Sequence, residues 1–328
     1  MLQFTIRRVA LFIPMLFLAS VLVFAIIQAP PGDFLSDMVA MLAEQGESVE
    51  GFNLDSLRRQ YGLDQPIHVQ YLKWVWGVLH WDLGLSLEWQ KPVTELVNQR
   101  LLLTVILGGT TVLFTWTMAI PIGIISAVKQ YSWIDYLFTL FAYVGVATPN
   151  FMIALAAMWI AFSAFGLNLT GLFSREFVDA SWSLGRFVDL FKHLWVPVLI
   201  LGTSGTARLA RIVRANLLDE LSKPYVETAR AKGLPEWKLI LKYPTRLALN
   251  PFVSTAGWEL TELFSGSLIV ATVMSLPTIG PLLLRALISQ DMFMAGAILL
   301  ILTALTLVGT LISDLILAAM DPRIRMRV

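Results

Sequence analysis

Long apolar runs separated by shorter polar segments dominate the chain. A helix needs about 20 consecutive apolar residues to cross the hydrocarbon core of a bilayer. Six runs are candidates for such spans: 9–27, 101–128, 136–174, 194–213, 252–274 and 292–318. The pattern predicts an all-α polytopic membrane protein with six transmembrane helices.

The first apolar run has two interpretations, because a secretory signal peptide also places a basic residue before an apolar stretch. Residues 9–27 carry no charge and follow Arg7 and Arg8. The run is long, and it ends in QAPPGD, which lacks a small-x-small cleavage site. We therefore expect an uncleaved first span within 1–29.

The distribution of Lys and Arg decides how often the uncharged run 136–174 crosses the membrane. Its 39 residues are enough for one kinked helix or for two short ones. Basic residues favour the cytoplasmic side in short loops. With six spans and the N-terminus inside, 15 of the 24 Lys and Arg lie on inner segments, nine of them between Arg208 and Arg246. Splitting the run would place those nine outside, so we predict one span, kinked near Pro149.

These spans divide the chain into three predicted parts. Residues 1–29 form the first span, 30–100 an extracytoplasmic segment, and 101–328 a core of five spans with a cytoplasmic loop at about 214–246. The extracytoplasmic segment contains four tryptophans that we expect to act mainly as interfacial anchors, namely Trp74, Trp76, Trp81 and Trp89.

Composition narrows the chemistry. The chain of 328 residues is 57% hydrophobic and 14% charged, against about 25% charged in soluble domains. A net charge of +1 gives no reason to expect a nucleic acid partner, and the absence of cysteine excludes disulfides and thiolate metal sites. With three histidines we predict no metal site. The phosphate-binding G-x-x-x-x-G-K-[ST] pattern is absent, so ATP is not expected to bind this chain.

The most charged segment, YVETARAKGLPEWKLILKYPTRLA at 225–248, has the signals of two short helices. Pro224 suits a first helical turn, and Gly233 suits the left-handed residue that closes a helix. Trp237, Ile240 and Leu241 have the spacing of one apolar stripe. Such a hairpin could lie on anionic lipid or dock against another protein, and the residues alone leave both open.

Two carboxylates, Glu259 and Glu262, fall inside the fifth apolar run and share one helical face. An intramembrane carboxylate is costly and normally faces a partner or a cavity. The pair could hold a neighbouring helix or subunit, or it could line a translocation pathway. The sequence leaves both alternatives open.

Two other functional classes fit the sequence less well. Gly202-Thr203-Ser204-Gly205 resembles the G-x-S-G of intramembrane serine proteases, but His193 is eleven residues earlier, about 16 Å along one helix. A stand-alone secondary transporter would be expected to contain repeated halves, and no convincing repeat is found.

Several motifs together resemble one family. Glu227-Thr228-Ala229, three residues and then Gly233 is similar to the EAA loop of ABC-importer permeases, and YVETARAKGL resembles the dipeptide/oligopeptide branch. The other matches follow in family order: APPGD at 29–33, LRRQYGLDQPIHVQYLKW at 57–74, WDLGLS at 81–86, SLPTIGPLL at 275–283 and DPRIR at 321–325.

This resemblance implies a permease subunit with the type I ABC-importer fold in the cytoplasmic (inner) membrane of a bacterium or archaeon, with both termini cytoplasmic. It implies a second homologous permease, two cytoplasmic ATPases that bind ATP and Mg, and an extracytoplasmic solute-binding protein. Membrane lipid would surround the spans. The ATPase-coupling residues would be Glu227, Thr228, Ala229, Gly233 and Leu234. Short peptides or oligosaccharides would be the substrates. Thr228 and Tyr243-Pro244 depart from the family pattern, and so do Glu259 and Glu262.

Overall fold

The computed structural model describes residues 2–29, 64–254 and 267–320. In these ranges the regular structure is helical apart from one isolated bridge between Leu85 and Pro92. The helices with bounds on both sides are α1 (Leu2–Gln28), α2 (Ile67–Leu79), α3 (Val93–Val128), α4 (Trp133–Ala147), α5 (Asn150–Phe165), α6 (Leu184–Leu221), α7 (Pro224–Ala231), α8 (Glu236–Lys242), α9 (Pro244–Ser254), α10 (Ile279–Ile288) and α11 (Met292–Met320). Residues 267–273 are also helical. The all-α prediction is confirmed for these residues.

Three described helices, α1, α3 and α11, are long and apolar enough to cross a membrane, and the bent pair α4 and α5 provides a fourth candidate. Residues 194–213 lie within α6, whose 38 residues include polar and charged positions. The predicted fifth span has its middle, 255–266, outside the described residues. The multi-pass character is therefore confirmed, and the count of six remains a prediction.

The predicted kink at Pro149 is a complete break. A proline disfavours helical dihedrals in the residue before it, and Thr148 is extended with φ −94° and ψ 121°. Helix α5 then leaves at 100° to α4. Helix α5 ends with Gly166 as a left-handed cap at φ +65°.

The chain divides into two compact units. One contains Met1–Arg8, Thr104–Pro277 and Thr306–Val328. Its centre is α6, against which neighbouring helices pack at small residues. A Cβ added to Gly123 would lie 2.7 Å from the Ala210 carbonyl oxygen, and one added to Gly202 would meet Phe114. Such close approach is typical of packing in membranes. No hydrophobic force drives helices together in lipid, and small residues let them come close enough for van der Waals packing.

The other unit contains Val9–Leu103 and Thr278–Leu305. Trp74 is buried there among Phe24 and Tyr71, so the expectation of an interfacial anchor is wrong for this tryptophan. Helix α2 packs through Trp74 and Tyr71 against Phe24 of α1. Trp76 and Trp81 are exposed and remain compatible with anchoring.

A buried carboxylate organises the loop of this second unit. Asp291 caps α11, accepting from the Met294 N–H at 3.1 Å. Its other oxygen accepts from the Ser86 hydroxyl at 2.5 Å and from the Leu87 and Glu88 N–H groups at 2.9 and 3.2 Å. One side chain thus satisfies a helix end and fixes the loop 84–92 to it.

Candidate functional site

The charged segment forms two short helices, α7 and α8, joined by a tight turn; we call this region the 224–242 hairpin. Pro224 occupies the first turn of α7, where its missing N–H has no helical partner. Gly233 adopts φ +76° in the turn, and α8 begins directly after Pro235. These features agree with the sequence prediction.

The hairpin has its own small core and is fixed to longer helices of the same unit. Val226, Leu239 and Ile240 are buried together, with Ile124 of α3 and Leu221 of α6 packed against them. The Tyr225 hydroxyl donates to the Glu220 carboxylate at 2.7 Å. Burial, together with this carboxylate, raises the pKa of Tyr225 above its usual value. The hairpin is therefore held to the end of α6 and cannot move independently of it.

The predicted coupling residues fall on two sides of the hairpin. Glu227, Thr228 and Gly233 are exposed, whereas Ala229 and Leu234 are half-buried against the hairpin core. The first three belong to a surface that a partner could contact directly. The other two support that surface from beneath.

The turn between the helices is braced by an exposed ion pair. Arg230 Nη2 lies 2.5 Å from Glu236 Oε1, and Arg230 Nε lies 3.1 Å from the other oxygen. This hydrogen bonding lowers the pKa of Glu236 and raises that of Arg230. Because both groups are in water, the pair orients the hairpin more than it stabilises it.

The predicted apolar stripe of α8 is only partly buried. Ile240 is buried next to Leu239, whereas Trp237 and Leu241 are exposed by 63% and 54%. In a helix of seven residues, the turn before it determines which face packs inward, and spacing alone does not reveal that. The exposed pair adds an apolar patch beside Lys238, whose ammonium lies 5.3 Å from the Trp237 ring.

Glu259 and Glu262, the predicted pathway carboxylates, lie outside the described residues. A second candidate region, which the sequence did not indicate, is a cavity of about 670 Å³ between α3, α4, α5 and α6. Its walls are mostly apolar, and its polar lining residues are Thr148, Thr203 and Thr206. The 100° bend between α4 and α5 produces its concave side.

Two arginines of α6, Arg211 and Arg214, contact side chains of α4. Arg214 forms a two-pronged pair with Asp135, with Nε and Nη2 each 2.8 Å from a carboxylate oxygen. The Arg211 guanidinium lies 5.6 Å from the Tyr143 ring. Asp314 of α11 pairs with Arg8 of α1 at 3.0 Å.

The serine-protease constellation is not assembled. Ser204 accepts a hydrogen bond from the Asn150 amide at 3.2 Å. His193 instead bonds through Nδ1 to the Asp189 carbonyl, one turn earlier on α6. Asn150 thus joins the start of α5 to α6.

Comparison with known proteins decides the family. Residues 119–326 match the binding-protein-dependent transport system inner membrane component model, and residues 1–108 match its N-terminal membrane component. The chain belongs to this family. It is therefore a multi-pass permease subunit of an ABC importer and a transport component rather than a catalytic enzyme, which confirms the resemblance found in the sequence.

Three relatives illustrate the match over the full length. The chain is 33% identical to the oligopeptide transport system permease protein AppB of Bacillus subtilis and 34% identical to the dipeptide transport system permease protein DppB of Escherichia coli K12. It is 32% identical to the glutathione transport system permease protein GsiC of Salmonella typhimurium. Each alignment covers 99% of both chains. Neither the secondary transporter nor the protease is favoured.

Proposed function

We propose that this permease forms half of a translocation pathway for short peptides and that the 224–242 hairpin is its docking element for a cytoplasmic ATPase. The observation that carries the proposal is the hairpin itself. It presents Glu227, Thr228 and Gly233 to solvent, and its core is fixed to α3 and α6. A push on this surface would be transmitted to the long helices.

The complex would contain a second homologous permease, two ATPase subunits that bind ATP and Mg, and an extracytoplasmic solute-binding protein. The family description, binding-protein-dependent transport, supports the last of these partners. Both termini and the hairpin would be cytoplasmic, with 30–100 outside and the six spans in lipid. The charge distribution supports this orientation.

The proposed solute class rests on the relatives, which are named for oligopeptides, dipeptides and glutathione. Oligosaccharides are the second candidate. The apolar cavity beside α4 and α5 favours peptides, because a wall with few hydrogen-bonding groups suits amino-acid side chains better than sugar hydroxyls. Glu259 and Glu262 would add charge to the same pathway.

Reconstituted transport tests the function. The complete complex is placed in liposomes with ATP and Mg on the ATPase side and loaded binding protein on the other. We expect uptake of labelled di- and tripeptides that requires both ATP and the binding protein. Uptake of malto-oligosaccharides with no peptide uptake would contradict the peptide assignment, and ATP-independent uptake would contradict the importer mechanism.

A further inference from the structure

The pairing of Asp135 with Arg214 has a geometry that snorkelling does not require. Asp135 is only 2% exposed, and its carboxylate accepts hydrogen bonds from two guanidinium nitrogens of Arg214. It also accepts from the Tyr131 N–H at 3.0 Å, while its own N–H donates to Ser132 at the N-cap of α4. The carboxylate therefore joins the start of α4 to α6.

Two further contacts continue this junction along the same helices. A Cβ built on Gly145 would lie 3.2 Å from the Thr203 methyl and 3.3 Å from the Ala207 Cβ, so α4 and α6 approach closely there. Beyond the break, Asn150 bonds to Ser204. Since α4 numbering rises while α6 numbering falls, the two helices are antiparallel and are joined from Arg214 to Ser204.

Helix α6 is also the element that holds the 224–242 hairpin. It ends at Leu221, three residues before α7 begins, and Leu221 packs on the hairpin core. Leu217 is fully buried with Ala248 of α9, and the Asn216 amide donates to the Ala248 carbonyl at 3.3 Å. Movement of the hairpin must therefore displace the end of α6 that carries Arg214.

Apolar contact alone would not force α4 to follow. Lipid tails are as apolar as the side chains they replace, so helix faces in a bilayer have no hydrophobic force that fixes their register. A two-pronged arginine–carboxylate pair is short, charged and directional. Separating it would leave a buried carboxylate without its counter-charge.

We infer that the Asp135–Arg214 pair is a positioning tie that makes α4, with the bend leading to α5, move with α6 when an ATPase displaces the hairpin. This inference rests on the proposed function. It assigns Asp135 and Arg214 to the coupling of ATP hydrolysis to transport, although neither touches ATP or solute. The Asp135–Arg214 pair would then move the wall of the cavity that α4 and α5 form at their bend, and with it that part of the pathway.

The first arm of the test removes the tie in the reconstituted complex. Asp135→Asn keeps the size and the cap while removing the charge. We expect ATP hydrolysis without binding protein to persist, but the stimulation by loaded binding protein and the peptide uptake per assembled complex to fall about tenfold, within the usual range of coupling between sites. Asp219→Asn, which removes an exposed carboxylate from the same helix α6, is the matched control and should behave as wild type.

The second arm restores the tie covalently. The chain contains no cysteine, and a Cβ built on Gly145 lies 3.3 Å from the Ala207 Cβ. Disulfides span about 3.5–4.5 Å between Cβ atoms, so a separation of a few tenths of an ångström between the helices accommodates the bond. We expect G145C/A207C, oxidised with copper phenanthroline, to retain uptake. Added to Asp135→Asn, the same disulfide should restore stimulated hydrolysis when oxidised and lose it again on reduction.

Three results would overturn the tie. The first is wild-type stimulation per complex in Asp135→Asn. The second is abolition of uptake by the disulfide in the otherwise unchanged chain, since α4 would then have to slide along α6. The third is a loss in Asp135→Asn that tracks complex yield and that the disulfide does not restore. If the wild-type complex itself neither transports nor hydrolyses ATP on stimulation, the proposed function fails instead.

Discussion

At the scale of single residues, a few backbone positions and buried charges determine the parts of this permease that do not follow from hydropathy. Gly233 takes a left-handed conformation that directs α8 away from α7. Asp291 and Asp135 each accept several hydrogen bonds at a helix start. Each of these residues can be altered with a conservative substitution that separates conformation from charge.

Gly233→Val should impair coupling. A β-branched residue resists φ +76°, at a cost of about 1–3 kcal/mol, so the turn and the exposed docking surface should shift. Uptake and stimulated ATP hydrolysis should fall together in a complex that still inserts. Gly233→Asn is the control, because asparagine tolerates the left-handed region. Normal stimulated hydrolysis in the valine variant would contradict the docking assignment.

Asp291→Asn should loosen the loop 84–92. An amide presents only one acceptor oxygen, whereas the carboxylate serves four donors through two oxygens. Leaving buried donors unpaired costs about 1–3 kcal/mol. Chymotrypsin should then cleave faster after Trp89, which is half-buried in this loop. Asp82→Asn, an exposed neighbour, should leave the cleavage rate unchanged; equal rates in both variants would refute the anchoring role.

At the scale of helices, the sequence predicts where each helix lies along the chain better than which residues of different helices contact one another. Apolar runs place α1, α3 and α11 because the bilayer itself selects for length and hydrophobicity. Proline and glycine chemistry predicts the break at Pro149 and the turn at Gly233. The inward face of α8 and the Asp135–Arg214 pair could not be predicted, because both depend on how segments distant in sequence approach one another. The SWID capping signal at 132–135 was the available clue to Asp135.

Substitution of Glu259 and Glu262, the carboxylates of the predicted fifth span, can show whether they line the pathway or hold a helix interface. Glu259→Gln with Glu262→Gln keeps size and hydrogen bonding but removes both charges. If the side chains line the pathway, uptake of cationic and neutral peptides should change by different factors, with normal assembly. Uptake per assembled complex is measured for one peptide of each charge. A uniform loss that follows complex yield would assign the pair to an interface.

At the scale of the whole molecule, the account requires one orientation in the membrane. The basic residues between Arg208 and Arg246 should be cytoplasmic, and the segment 30–100 should be outside. Cysteine placed singly at Lys238 should therefore not react with an impermeant maleimide in intact cells, whereas cysteine at the exposed Trp76 should react. Labelling of the Lys238 position, or protection of the Trp76 position in intact cells but not in lysed ones, would invert the proposed topology.

Photo-cross-linking from the hairpin tests the central claim, that an ATPase docks there and drives import. A photoreactive residue replaces Lys232, which is exposed beside Gly233, in a complex shown to retain ATP-dependent peptide uptake. The account predicts a covalent product with the ATPase subunit from position 232 and none from a matched probe at Trp76. An actively transporting complex that gives no ATPase product from position 232 would contradict it.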